Sequence, residues 1–128
     1  MTKVKICGLT NAADAQAALD AGADLLGFIF YEPSPRYVSP DTVKSIIAGQ
    51  LVFGANRPLL VGVFVDESPE RVREVLEFCG LDAAQLHGSE PPSALAQLAG
   101  RAYKVFRPQS RAEFEQTVAG YQLTMSNE

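Results

Sequence analysis

The 128-residue sequence has no tryptophan, one histidine and two cysteines. Cys7 and Cys79 are too few for a disulfide scaffold, which predicts reduced thiols and a cytoplasmic protein. One histidine and two distant cysteines do not supply the ligand set of a structural zinc site, so no metal is expected. No apolar run approaches the ~20 residues that span a bilayer, and no membrane partner is expected. The N-terminal stretch MTKVKICGLT has no long apolar core and no small-residue cleavage site, so it does not read as a signal peptide. Basic residues are also scarce. Eleven Lys and Arg against fifteen Asp and Glu give a net charge of −4. That argues against a nucleic-acid partner, which needs a dense Lys/Arg face. A small anionic substrate remains compatible, because one placed arginine outweighs the global charge locally. There is no GxGxxG, no P-loop and no HExxH.

What is present is the composition of a folded globule, 47% hydrophobic and 20% charged. The length fits a single domain over residues 1–128. Two textures alternate. Short runs rich in Val, Ile, Leu and Phe occur at Val4–Cys7, Leu25–Tyr31, Leu59–Val65, Ala83–Leu86 and Tyr103–Phe106. Most are nearly continuous rather than alternating, as strands buried on both faces are in a parallel sheet.

Helical segments lie between them. Asn11 to Ala21 is Ala-rich, with Gly22 as its stop. Ser39–Pro40–Asp41 and Ser68–Pro69–Glu70 are two N-terminal signatures, a capping serine followed by proline at the first helical position. Val43, Ile46 and Ile47 mark the buried face of the first. Val72, Val75, Leu76 and Cys79 mark that of the second, and Gly80 closes it. Pro91–Pro92 precedes a short helix with Leu95, Leu98 and Ala99. Ser110 and Glu113 form a capping-box pattern ahead of Phe114, Val118 and Tyr121.

The order is therefore βαβαβαβαβα, an α/β protein with a parallel sheet. Two folds compete. A flavodoxin-like doubly wound sheet is complete at five units, whereas a TIM barrel needs eight units and ~200 residues or more. In both, ligands bind at the carboxyl ends of the strands, so the residues just after each strand carry the chemistry.

After the first run stands Cys7-Gly8-Leu9-Thr10. A cysteine at a strand end, near a helix N-terminus, can supply a thiolate as base or nucleophile, or can be a small buried hydrophobe. Cys79 lies on a helix's apolar stripe and reads as core. After the second run, two prolines stiffen the loop around Arg36. That arginine can grip a carboxylate or phosphate, or can be a solvated surface charge. Asp66 after the third run can be a catalytic carboxylate, but reads rather as an acidic residue ahead of a helix start, favoured by the helix dipole. His87-Gly88 follows the fourth run and offers an acid, a base or a hydrogen-bond donor, with a structural histidine as the alternative. Arg107 follows the fifth, its direction undecided.

In order, these pieces resemble the phosphoribosylanthranilate isomerase family of tryptophan biosynthesis. The resemblance rests on Val4-Lys5-Ile6-Cys7-Gly8-Leu9-Thr10, Gly22-Ala23-Asp24, Leu26-Gly27-Phe28-Ile29-Phe30 and Ser34-Pro35-Arg36-Tyr37-Val38-Ser39-Pro40. It continues through Val61-Gly62-Val63-Phe64-Val65, Leu81-Asp82, Gln85-Leu86-His87-Gly88 and Lys104-Val105-Phe106-Arg107. It implies a TIM barrel and an isomerase of the aldose–ketose type. The reaction is an Amadori rearrangement of a phosphorylated sugar–anthranilate, with no cofactor. It also implies roles: Cys7 as general base at the sugar C2′, Arg36 as the grip on the anthranilate side, and His87 at the pocket.

The family's general acid ends a sixth strand, and its phosphate site lies in Gly-rich loops after the seventh and eighth. This sequence matches about five of the eight units. Its tail, Thr124-Met125-Ser126-Asn127-Glu128, matches none of those features. The resemblance therefore predicts a partial barrel with impaired or absent turnover of its own. The alternative is a non-catalytic fragment that binds a partner chain or an anthranilate-like ligand through Arg36. An open five-stranded sheet also predicts exposed edges, an exposed apolar interior and self-association.

Overall fold

A computed structural model describes residues 2–98, 100–105, 110–113, 115–116 and 119. Five strands alternate with helices: β1 (Lys5–Ile6), α1 (Ala12–Asp20), β2 (Leu25–Ile29), α2 (Pro40–Ser45), β3 (Leu59–Phe64), α3 (Pro69–Cys79), β4 (Ala83–Leu86), α4 (Pro92–Gln97) and β5 (Ala102–Lys104). Helix α2 widens into a π turn over Ile46–Gln50, where the Leu51 amide reaches back to the Ile46 carbonyl at 3.0 Å. The expected positions at Ala99, Phe106, Arg107, Phe114, Val118, Tyr121 and the tail lie outside the described residues. Ser110 does cap its segment, accepting from the Glu113 amide at 3.1 Å.

Local chemistry sets the helix ends. Asn11, Ser39 and Ser68 each accept a bond from an amide three residues on, at 2.8, 3.2 and 3.2 Å. Gly80 ends α3 in the left-handed conformation at φ 77°, and its amide bonds the Leu76 carbonyl at 3.0 Å. Between those ends α3 buries Val72, Val75, Leu76 and Cys79 as its spacing predicts. Each such aliphatic side chain contributes roughly 1.5–3 kcal/mol on leaving water.

The strand order separates the two competing folds. All four pairings are parallel, and the order is β1-β2-β3-β4-β5. A doubly wound sheet reverses direction part-way and places helices on both faces. Here the five described strands never reverse in order, and the helices between them share one face. Ala15 and Ala18, Val43 and Ile46, Val72 and Leu76, Ala94 and Leu95 meet Leu26, Phe28, Leu60, Phe64, Ala84 and Leu86 in one core. This is the winding of a barrel wall.

The opposite, concave face carries Lys5, Gly27, Val61, Gln85 and Tyr103. Lys5 Nζ donates to Gln85 Oε1, and the Tyr103 hydroxyl donates to the same oxygen at 2.9 Å. The sheet curls enough for β1 to reach β4. The expectation of an exposed apolar interior is met in part: Val61 and Val63 are buried, whereas Leu59 and Tyr103 on the same face are 44% and 37% exposed. The expectation of exposed edges is met at β1, where Val4 is 51% and Ile6 39% exposed.

Candidate active site

Three strand ends build the site. The Gly8 and Leu9 amides both donate to the Gly27 carbonyl at 3.1 Å, turning the chain sharply after β1. Gly8 has φ 83°, and a Cβ there would stand 2.6 Å from Arg36 Cδ. Glycine is required on both counts, by the left-handed backbone and by the arginine lying across it. Gly27 has a matching role on the concave face. A Cβ there would stand 2.8 Å from Cys7 Sγ and 3.1 Å from Lys5 Cε, so the missing side chain is the space they occupy.

Arg36 is delivered by a loop folded back onto β2. The Ser34 amide bonds the Tyr31 carbonyl at 2.9 Å, the Tyr37 amide bonds the Ser34 carbonyl at 3.1 Å, and Tyr37 bridges to Ile29. The Ser34 hydroxyl accepts from the Arg36 amide at 3.1 Å. The structure thus brings Cys7 and Arg36 together at the carboxyl end of the sheet. Both line a groove of about 680 Å3 that follows β1 and the Ala17–Ala18–Ala21 side of α1. Cys7 is half-buried and Arg36 exposed, as groups that meet a ligand from solvent must be.

His87 stands at the same end of the sheet but does not line that groove. It follows β4 directly, and its amide bonds the Phe64 carbonyl at 2.9 Å. Side chains alternate along a strand. Cys7 is therefore two residues above Lys5, and His87 two residues above Gln85, on faces that the Lys5–Gln85 bond already joins. Both residues stand at carboxyl ends of strands of the one sheet, Cys7 after β1 and His87 after β4.

Cys79 is core, as its spacing indicates. Burial, with a lesser push from Asp41, raises its thiol to about 11, and Sγ lies 3.4 Å from the Pro40 carbonyl. Asp66 corrects the helix-dipole reading. Ser68 caps α3, whereas Asp66 takes a left-handed φ of 54° and accepts from the Ser89 amide at 2.6 Å. Its side chain ties the loop after β3 to the loop after β4. Sequence reasoning also missed Glu90, a buried carboxylate three residues past His87. An acid ahead of Pro91–Pro92 reads as an ordinary helix start, and nothing local marks it as buried. Among the described residues, no three His, Cys, Asp or Glu side chains are grouped to hold a metal ion.

Against known proteins, the family model for N-(5'phosphoribosyl)anthranilate (PRA) isomerase matches residues 4–125. The chain belongs to the PRA isomerase family. An N-(5'-phosphoribosyl)anthranilate isomerase of Geobacter sp. strain M21 is 46% identical over 107 residues, covering 84% of this chain and 50% of its own length. The crystal structure of the Thermotoga maritima phosphoribosyl anthranilate isomerase superposes with a TM-score of 0.83 at 36% identity, over 93% of this chain and 57% of that one. A further PRA isomerase structure, with TM-score 0.83 and 36% identity, covers 93% of this chain and 60% of its own. It is a complex with reduced 1-(o-carboxyphenylamino)-1-deoxyribulose 5-phosphate. The five described strands and the helices between them are thus those of a PRA isomerase TIM barrel, and the chain spans about half the length of the curated relatives it matches.

Proposed function

We propose that Cys7, Arg36 and His87 are substrate-facing residues of a PRA isomerase site, acting on N-(5'-phosphoribosyl)anthranilate in tryptophan biosynthesis. The observation that carries this reading is that Cys7 and Arg36 line one groove at the end of β1. A thiol and a guanidinium share the strand end where barrel enzymes bind ligands. Arg36 pairs with the anthranilate carboxylate through its planar fork. Opening of the sugar ring gives a Schiff base, whose iminium acidifies the neighbouring C2′–H. The Cys7 thiolate removes that proton, and the resulting enaminol tautomerises to the 1-deoxyribulose product by gaining a proton at C1′ and losing the 2′-hydroxyl proton. His87 contacts the substrate from β4. No metal or organic cofactor enters these steps.

The same reading places the chain in the cytoplasm with both cysteines as free thiols. It includes self-association through the exposed β1 edge, where Val4 and Ile6 face solvent.

The test is isomerase turnover, followed by loss of anthranilate-type fluorescence. It is run on the chain alone and with the remaining length of a relative supplied as a second polypeptide. Cys7→Ala is expected to lower turnover by roughly 100-fold or more, the usual worth of a positioned general base. Activity retained by Cys7→Ala overturns the base assignment. Absence of turnover in both settings, with the chain folded, overturns the isomerase reading.

A further inference from the structure

The carboxylate of Glu90 is 4% exposed, and three strand ends converge on it. One oxygen accepts from the Asp66 amide at 2.8 Å, just past β3. The other accepts from the Gly88 amide at 2.9 Å, the peptide that follows His87. That second oxygen also meets Lys104 Nζ at 3.0 Å, from the end of β5. Lys104 in turn donates to the Gly88 carbonyl. The Asp66 carboxylate closes the loop by accepting from the Ser89 amide at 2.6 Å. There is no slack in this arrangement. A Cβ on Gly88 would stand 2.5 Å from Asp66 Oδ1, so the two loops touch backbone to side chain.

A buried carboxylate is costly unless its oxygens are matched by donors, and here they are. Such an arrangement is worth most where the backbone it grips must not move. The peptide gripped is the one that carries His87, and the turn gripped with it holds Asp66 in a left-handed conformation, uncommon for residues other than glycine. We infer that Glu90 is a positioning residue, whose carboxylate sets the place of the His87 ring by clasping the His87–Gly88 and Asp66 turns to the end of β5. The significance of that position rests on the proposed role of His87, but the clasp itself is tested separately from activity.

The chain has a single histidine, so every imidazole signal in its proton–carbon NMR spectrum reports His87. Two variants of the full chain are compared with the parent. Glu90→Gln keeps the size but offers one acceptor oxygen to two amides. Glu90→Gln/Lys104→Met also removes the unpaired lysine and preserves folding if the single variant does not. In either variant the Gly88 or Asp66 amide is expected to exchange roughly tenfold faster or more. The His87 ring signals are expected to shift and split, while amides of α1 and β2 keep their protection. Ring signals identical to the parent in a folded variant overturn the inference. Protection lost evenly across the sheet overturns it as well, because it assigns Glu90 a global structural role only. Neither readout uses turnover, so absence of turnover in both settings would sink the isomerase reading and leave this one standing.

Discussion

At the residue scale, the site depends on positions where a side chain is missing. Gly8 admits Arg36, Gly27 admits Cys7 and Lys5, and Gly88 admits Asp66. Gly88→Ala is the sharpest test, since the neighbour within 2.5 Å belongs to a loop already held by Glu90 and Ser89. Overpacking of this kind is expected to cost about 1–3 kcal/mol, read as a lower denaturation midpoint at unchanged slope. Glu90 itself gives a pH signature. Burial pushes its carboxyl up, but the Asp66 amide and the Lys104 ammonium pull harder, so it lies below its ordinary value of 4.5. A depressed carboxyl stabilises the fold above its unfolded value and loses that contribution as pH falls through the folded one. The parent is therefore expected to exceed Glu90→Gln in stability at neutral pH. Urea midpoints measured into acid should show the two converging below the ordinary glutamate value. A gap that persists into acid would show that the charge is not what Glu90 contributes.

At the scale of the element, each helix is bounded by residues that act locally and buried by residues that act at a distance. Ser68 binds the Arg71 amide, Pro69 pre-sets the first turn, and Gly80 turns the chain out of α3. Ser68→Ala is expected to cost about 1 kcal/mol through the orphaned amide, leaving the loop at Asp66 and the strand register in place. Thermal melts with circular dichroism read the loss. The π turn after α2 marks the limit of local reasoning. Ile46 and Ile47 have helical spacing, yet the chain widens there, as Ile46 goes into the core and Ile47 packs at its margin.

On the scale of the whole molecule, the sheet presents β1 with one partner strand only, and its apolar Val4 and Ile6 face the groove beside α1. Unpaired strand edges recruit further strands. Sedimentation velocity is expected to show concentration-dependent association, weakened in Ile6→Lys, which places a charge on that edge. A monodisperse monomer at all concentrations would refute it. On the concave face Lys5, Gln85 and Tyr103 are tied by hydrogen bonds, while Leu59 stays 44% exposed.

The elements were legible in the chain because their causes are local. Proline, serine and glycine mark helix ends through single dihedral angles and single hydrogen bonds, and runs such as Leu59–Phe64 declare strands by continuous burial. The proposed site residues Cys7, Arg36 and His87 were singled out by their place after each strand and by their order along the chain. Two kinds of fact were decided only in three dimensions. The strand order, on which barrel against doubly wound sheet turns, depends on which strands pair across tens of residues, and periodicity carries no information on that. The burial of Glu90 and the true partner of Asp66 depend on two loops meeting end to end. A carboxylate's meaning there comes from the amides that surround it rather than from its neighbours in sequence.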